Sequence, residues 1–182
     1  MTMIDQFKRA IIADLYKLYG IGMVDADNNR RQPKRPYATI KTLTELNAGG
    51  QAGNYSAKFV ESVEPQFKYD IEERLNYQPT ATLSLTAIAD TEQEARQIAG
   101  KMSDYFKFVG RPRLDEINIV IVDVGDVGDR TALFADDITH DYMYGLDIRI
   151  RYLREIERQQ ANIERWKATG EIGRIRIEQE KE

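Results

Sequence analysis

Seven side chains that could bind a cation or move a proton crowd one stretch: Asp123, Asp126, Asp129, Asp136, Asp137, His140 and Asp141. Carboxylates beside an imidazole suit a hard or borderline metal ion. A metal-dependent enzyme would need its ion at Asp136, His140 and Asp141. The spacing, however, is neither the D-x-[DN]-x-[DN]-G run of a calcium loop nor the HExxH pair of a zinc helix. Asp and Gly are also the usual turn residues between strands, and GDVGDR supplies both. His140 is the sole histidine, so any His-dependent triad has to use it, and no GxSxG-type context stands near it. The chain has no cysteine, which removes disulfides, thiol catalysis and Cys-based zinc sites and fits a reducing compartment. The expectation is turns and solvated charge: no enzyme, no cofactor and no metal.

Two further stretches carry binding chemistry. Arg30, Arg31, Lys34 and Arg35 fall within a Pro-broken loop followed by Tyr37. Such a cluster can neutralise phosphates, so a nucleic-acid-binding module is the alternative reading, helped by a Tyr-rich strand near the end of the chain. The net charge of −4 supplies no polycationic field in its favour. A solvated loop, or one meeting an acidic neighbouring subunit, is the plainer reading. NAGGQAGNYSAKF contains Gly49, Gly50 and Gly53 but lacks the GK[ST] ending of a phosphate loop. It is expected to be a mobile hairpin tip or loop over Asn47 to Ala57 that orders against a partner.

The elements that position these residues follow from periodicity. Ala81, Leu83, Leu85 and Ala87 alternate with Thr82, Ser84 and Thr86, predicting a half-buried strand after Pro79. A helix follows at once. Thr91 and Glu94 have capping-box spacing, and Ala95, Ile98, Ala99, Met102, Tyr105 or Phe106, and Val109 form its apolar stripe. Gly110 is expected in the left-handed position that ends it, with Pro112 blocking continuation. An earlier helix carries Ile4, Phe7, Ile11, Leu15 and Leu18 on one face, capped by Thr2 and Asp5 and stopped by Gly20, with Asp14 on the wetter side. Tyr37 to Leu46 reads as a strand. So does Phe67 to Ile71, expected to pair antiparallel with the strand at Ala81. INIVIVDV, apolar on both faces, is placed centrally in the sheet. Tyr142 to Leu153 shows the cleanest alternation, with Asp147, Arg149 and Arg151 on its wet face.

Past that strand the pattern thins. Helix formers dominate Arg154 to Lys167, with Ile156, Ile163 and Trp166 as the apolar residues. Ile172, Ile175 and Ile177 then read as a terminal strand in need of a sheet edge. The expected organisation is a core over 1–157 and an extension over 158–182 consisting of an arm helix and a terminal strand. The fold class is α/β (α+β): a mixed, largely antiparallel sheet with two helices on one face, in the order α-β-β-β-α-β-β. No apolar run is long enough to span a bilayer, and no signal peptide is read at the N-terminus. Candidate interface residues are Arg30, Arg31, Lys34, Arg35, Arg149, Arg151, Ile163, Trp166, Ile175 and Ile177.

The ordered series RPYATI, YQPTATLSLTA into TEQEARQIA, and DRTALFADDITHDYMYGLDIRIRY resembles the phage neck or tail terminator family, the head-to-tail completion proteins of long-tailed bacteriophages. The resemblance spans about Arg35 to Tyr152 and includes Gln78-Pro79 and Gly145. It implies a structural virion protein of the tail neck, assembled in the host cytoplasm. It also implies a homo-oligomeric ring, typically a hexamer, that caps the tail tube and meets the head connector. DNA would pass its lumen without specific binding, and no membrane would be involved.

Overall fold

The computed structural model describes residues 2–27, 33–47, 52–63, 68–131, 141–161, 166–172 and 175–181, from residue 160 onward as backbone alone. In chain order the elements are α1 (Met3–Tyr19), β1 (Met23–Asp25), β2 (Tyr37–Asn47), β3 (Asn54–Glu61), β4 (Tyr69–Tyr77) and β5 (Thr80–Ala89). Next come α2 (Glu92–Asp104), a π-helical turn (Tyr105–Val109), α3 (Arg111–Glu116), β6 (Ile119–Val124), β7 (Gly128–Asp129) and β8 (Tyr142–Tyr152). The chain closes with β9 (Arg154–Ala161), β10 (Trp166–Ile172) and β11 (Ile175–Lys181). The chain divides into two compact units. The first is Met1–Gln51 with Gln78–Leu153, the second Ala52–Tyr77 with Arg154–Glu182.

The first unit is a sheet in the order β1-β2-β5-β8-β6, with β7 also on β8. Only β1 pairs in parallel, on β2; the other ladders are antiparallel. Strict alternation in β5 and β8 buries Leu83, Leu85, Leu146, Ile148 and Ile150 completely on one face. Against that face lie Phe7, Ile11 and Leu15 of α1 and Ile98, Ala99 and Met102 of α2, in one core cluster. The α1 caps are those expected: Thr2 and Asp5 form a reciprocal capping box, and Gly20 closes the helix at φ 69°. Leu18 departs from the expected stripe and is half exposed.

The central helix does not stop where expected. Gly110 has φ −84°, not a left-handed value, and Pro112 sits in the first turn of α3, where a missing N–H costs nothing. The π-helical turn widens the spiral by one residue, so the consecutive Tyr105 and Phe106 both point inward. Gly110 is required for room, because a Cβ there would sit 2.4 Å from the Tyr105 ring. The Tyr105 hydroxyl donates to Asp14 across 2.8 Å. Burial and that hydrogen bond push the phenol well above its ordinary range, and Asp14 is less of a wet-face residue than its spacing suggested.

Three expectations about strands are corrected. β6 is an edge of the main sheet, not its centre: it pairs only with β8 among the described residues, and Val120 is 55 % exposed. The interior place goes to β8, whose one apolar face and charged other face fit a sheet with helices on one side only. β4 does not pair with β5 but with β3 and β9, forming the three-stranded antiparallel sheet of the second unit. The segment expected as an arm helix from Arg154 is β9, then β10 from Trp166. Eight ladder positions on β4 outweigh the helical propensity of an apolar-poor segment. β10 and β11 form a two-stranded hairpin.

Candidate interaction surfaces

The acidic stretch is dispersed. Asp123, Asp126 and Asp129 are exposed, and Asp129 accepts the Thr131 amide at 2.8 Å. Hydrogen bonds from the Thr131 side chain and backbone hold the Asp129 carboxyl below its ordinary value. Asp141 pairs with Arg35. Among the described residues no group of three His, Asp or Glu could hold a metal ion; Asp136, Asp137 and His140 lie outside the described residues.

The basic cluster is not a uniform patch. Arg30 and Arg31 lie outside the described residues, and Lys34 is exposed. Arg35 reaches Asp90 at 3.1 Å and also contacts Asp141. The hydrogen bond to Asp90 is the main cause that raises its pKa, with both carboxylates adding to it. A guanidinium held between two carboxylates offers little charge to phosphate, so this loop's strongest described cation serves the fold. The first two residues of the Gly-rich trio, Gly49 and Gly50, lie outside the described residues. Gly53 has φ 78°, and a Cβ there would meet the Asn76 carbonyl at 2.9 Å. From Asn54 to Ala57 the expected mobile segment is instead paired strand, in register with Asn76 to Glu73.

Arg149 and Arg151 stand on the face of the main sheet opposite the helices, at the register positions of Thr82 and Thr80. Arg149 is exposed. Arg151 borders a shallow groove with Gln78, Asp115 and Asn118. On the same face Arg130, brought over by β7, donates to Ser84, to Thr86 at 3.2 Å and to Asp147 at 2.8 Å. This face is polar and bears ions of both signs.

The second unit has two unlike faces. On one, Arg74 meets Glu72 at 2.9 Å, Glu157 at 2.9 Å and Glu155 at 3.5 Å, and Lys58 meets Glu72 at 3.0 Å. Alternation places Tyr55, Phe59, Tyr69 and Ile156 on the other. Tyr55 is 61 % and Phe59 68 % exposed. The rings of Phe59 and Tyr69 stand edge to face, 6.5 Å apart. Arg158 and the Tyr55 hydroxyl both donate to Glu73 on this face. The aromatic surface was missed in the sequence, although Tyr55, Ala57 and Phe59 do alternate with Ser56 and Lys58; the preceding glycines dominated the reading. Trp166, Ile175 and Ile177 belong to the terminal hairpin, and Ile163 lies outside the described residues.

No helix among the described residues is long and apolar enough to cross a membrane. A family model described as phage neck terminator protein matches residues 1–175. No curated protein matches the chain. The family match extends well beyond Arg35 to Tyr152 and takes in strands of both units.

Proposed function

The chain belongs to the phage neck terminator family, a structural component of the phage neck and so of the virion, and from that premise we propose that its copies close into a ring. The ring, a hexamer, caps the finished tail tube and offers the head connector a surface on which to dock. The observation that carries this reading is the match over residues 1–175, which includes the open face of the main sheet and the aromatic face of the second unit. A ring requires two different surfaces on each copy that fit one another, and these exposed faces are suited to that. The protein acts by shape and contact rather than by catalysis.

A net charge of −4 and the engagement of Arg35 by Asp90 and Asp141 favour a lumen that lets duplex DNA slide, since phosphates are not gripped. Assembly takes place in the host cytoplasm, before head and tail join. Native mass spectrometry of the purified full chain tests the reading: a closed oligomer, expected as six copies, supports it. A monomer at every accessible concentration and in the presence of tail tubes overturns it. Binding to duplex DNA that weakens steeply with added salt would instead favour the nucleic-acid module.

A further inference from the structure

Two faces of the second unit have the composition of buried surface. The first is the aromatic side of the β3-β4-β9 sheet. Its rows, set by register, are Tyr55 with Leu75 and Ile156, then Ala57 with Glu73 and Arg158, then Phe59 with Ile71 and Gln160. Tyr55 and Phe59, at 61 % and 68 % exposure, flank the Glu73–Arg158 ion pair on a face whose reverse is polar, and make a patch that water covers poorly.

The second is the terminal hairpin. Its register pairs Ile172 with Ile175 and Gly170 with Ile177. Alternation therefore assigns Trp166, Ala168, Ile172, Ile175 and Ile177 to one face, with Gln179 opposite Ala168, while the intervening positions from Lys167 to Glu180 are all polar. Among the described residues β10 and β11 pair only with each other. A lone two-stranded hairpin is marginal in water and needs a surface against which to bury its apolar face.

We infer that the apolar face of the β10–β11 hairpin of one copy packs on the Tyr55–Phe59 face of a second copy of this chain. The lengths agree. The hairpin has seven register pairs and the β3–β4 ladder eight, so each runs about 23–27 Å. The residue types agree as well: the Ile172, Ile175 and Ile177 positions share one face of the hairpin, and Tyr55 and Phe59 share one face of the β3-β4-β9 sheet, the pairing that a sheet-on-sheet contact uses. Charge is matched at the margin, where Lys181 ends the hairpin's apolar face and Glu61 ends the β3 row on the receiving face. Among the described residues Tyr55 and Phe59 are left exposed, so the face is open to the hairpin of another copy. Giving and receiving faces on the same chain generate head-to-tail association, the geometry that closes into a ring. The inference deepens the ring reading and rests on it for closure only.

The absence of cysteine makes the test clean. Phe59→Cys and Ile177→Cys chains are prepared separately, mixed, and treated with a bifunctional thiol reagent able to bridge sheets packed about 10 Å apart. The mixture is expected to give a crosslinked dimer joining one chain of each kind. Chains carrying both substitutions are expected to give a ladder of covalent oligomers. Lys167→Cys, on the hairpin's other face, paired with Phe59→Cys is expected to give at least tenfold less product. Chains with both substitutions that yield only internally crosslinked monomer overturn the inference, as does an equal yield from Lys167→Cys. Native mass of the uncrosslinked chain separates the two readings. A closed oligomer without the ladder sinks the hairpin contact and leaves the ring standing. A ladder without a largest closed species sinks the ring and leaves the contact standing.

Discussion

Arg130 lies against Gly145. A Cβ on Gly145 would come 2.9 Å from the Arg130 Cζ and 2.5 Å from the Leu85 carbonyl oxygen. The guanidinium passes over the strand only because β8 has no side chain there, and it fans out to Ser84, Thr86 and Asp147. The Leu85 oxygen belongs to a central strand and cannot retreat. Gly145→Ala should therefore cost about 1–3 kcal/mol through overpacking. The check is a lowered urea midpoint with an unchanged slope; an unaltered midpoint would mean the strands separate easily at this point.

The partner of that arginine confers acid sensitivity. Partial burial works to raise the Asp147 carboxyl, but hydrogen bonds from Arg130 and Ser84 and the Arg130 charge outweigh it, leaving the group below its ordinary 3.8. A depressed folded-state value means stabilisation that is fully present above the unfolded value and lost as pH falls through the folded one. Melting temperatures of the parent and Asp147→Asn should differ most near neutrality. The gap should close below about pH 4, since the unfolded group titrates near there. A constant gap down to pH 2 would dismiss this carboxylate as a source of acid lability.

Ile98 and Met102 lie beneath β5 and β8 in the main cluster, 8 % and 0 % exposed. Truncating either to Ala should cost about 2–5 kcal/mol, with Met102 the costlier because its cavity is fully enclosed. Thermal or chemical denaturation of each variant decides it.

Chelator, or added magnesium, calcium or zinc, should leave the melting temperature unchanged, and so should His140→Ala or the paired Asp136→Asn and Asp137→Asn. Their described neighbours are already engaged: Asp141 with Arg35, and Asp129 with Thr131. A stoichiometric metal in the purified protein, by elemental analysis, would reverse this.

Shortening the chain should separate the two units in a graded way. A stop after Ala161 keeps β9 and with it the three-stranded sheet. A stop after Leu153 removes β9 and strips Arg74 of Glu155 and Glu157. Amide exchange should show β5 and β8 equally protected in both, and β4 protected only in the longer. A stop after Glu157 cuts β9 midway, so it should behave between the two. Loss of protection in β8 on the shorter stop would show that the first unit cannot stand without the second.

The first unit was largely legible because α1, α2, β5 and β8 each bury one clean face. Period two in β5 and β8 and the α1 and α2 stripes name nearly the whole core, and Thr2, Asp5 and Gly20 mark helix ends by local chemistry alone. What the periodicity missed depended on partners distant in sequence. Nothing local in Arg154 to Ala161 says strand; β4 does, from across the chain. The two-sided apolar run in β6 suggested a central place, yet an edge strand can carry Val120 to the surface. Gly110 read as a helix stop because its neighbour Tyr105 was not known to fold over it. Among the candidate interface residues, Arg149 and Arg151 share a face by simple alternation. The aromatic face of Tyr55 and Phe59 emerges only when β3 is laid on β4.

The ladder pairs Asn47 with Thr80 and Thr80 with Arg151. The ends of β2, β5 and β8 are therefore neighbours, and from these ends the chain runs on to β3, β4 and β9. A pull on the second unit thus enters the main sheet through three adjacent strand ends at once. β5 is gripped on both sides by β2 and β8, so it cannot peel away alone, and the tension is shared over two full ladders of hydrogen bonds. The second unit thus continues from three adjacent strands of the main sheet rather than from one.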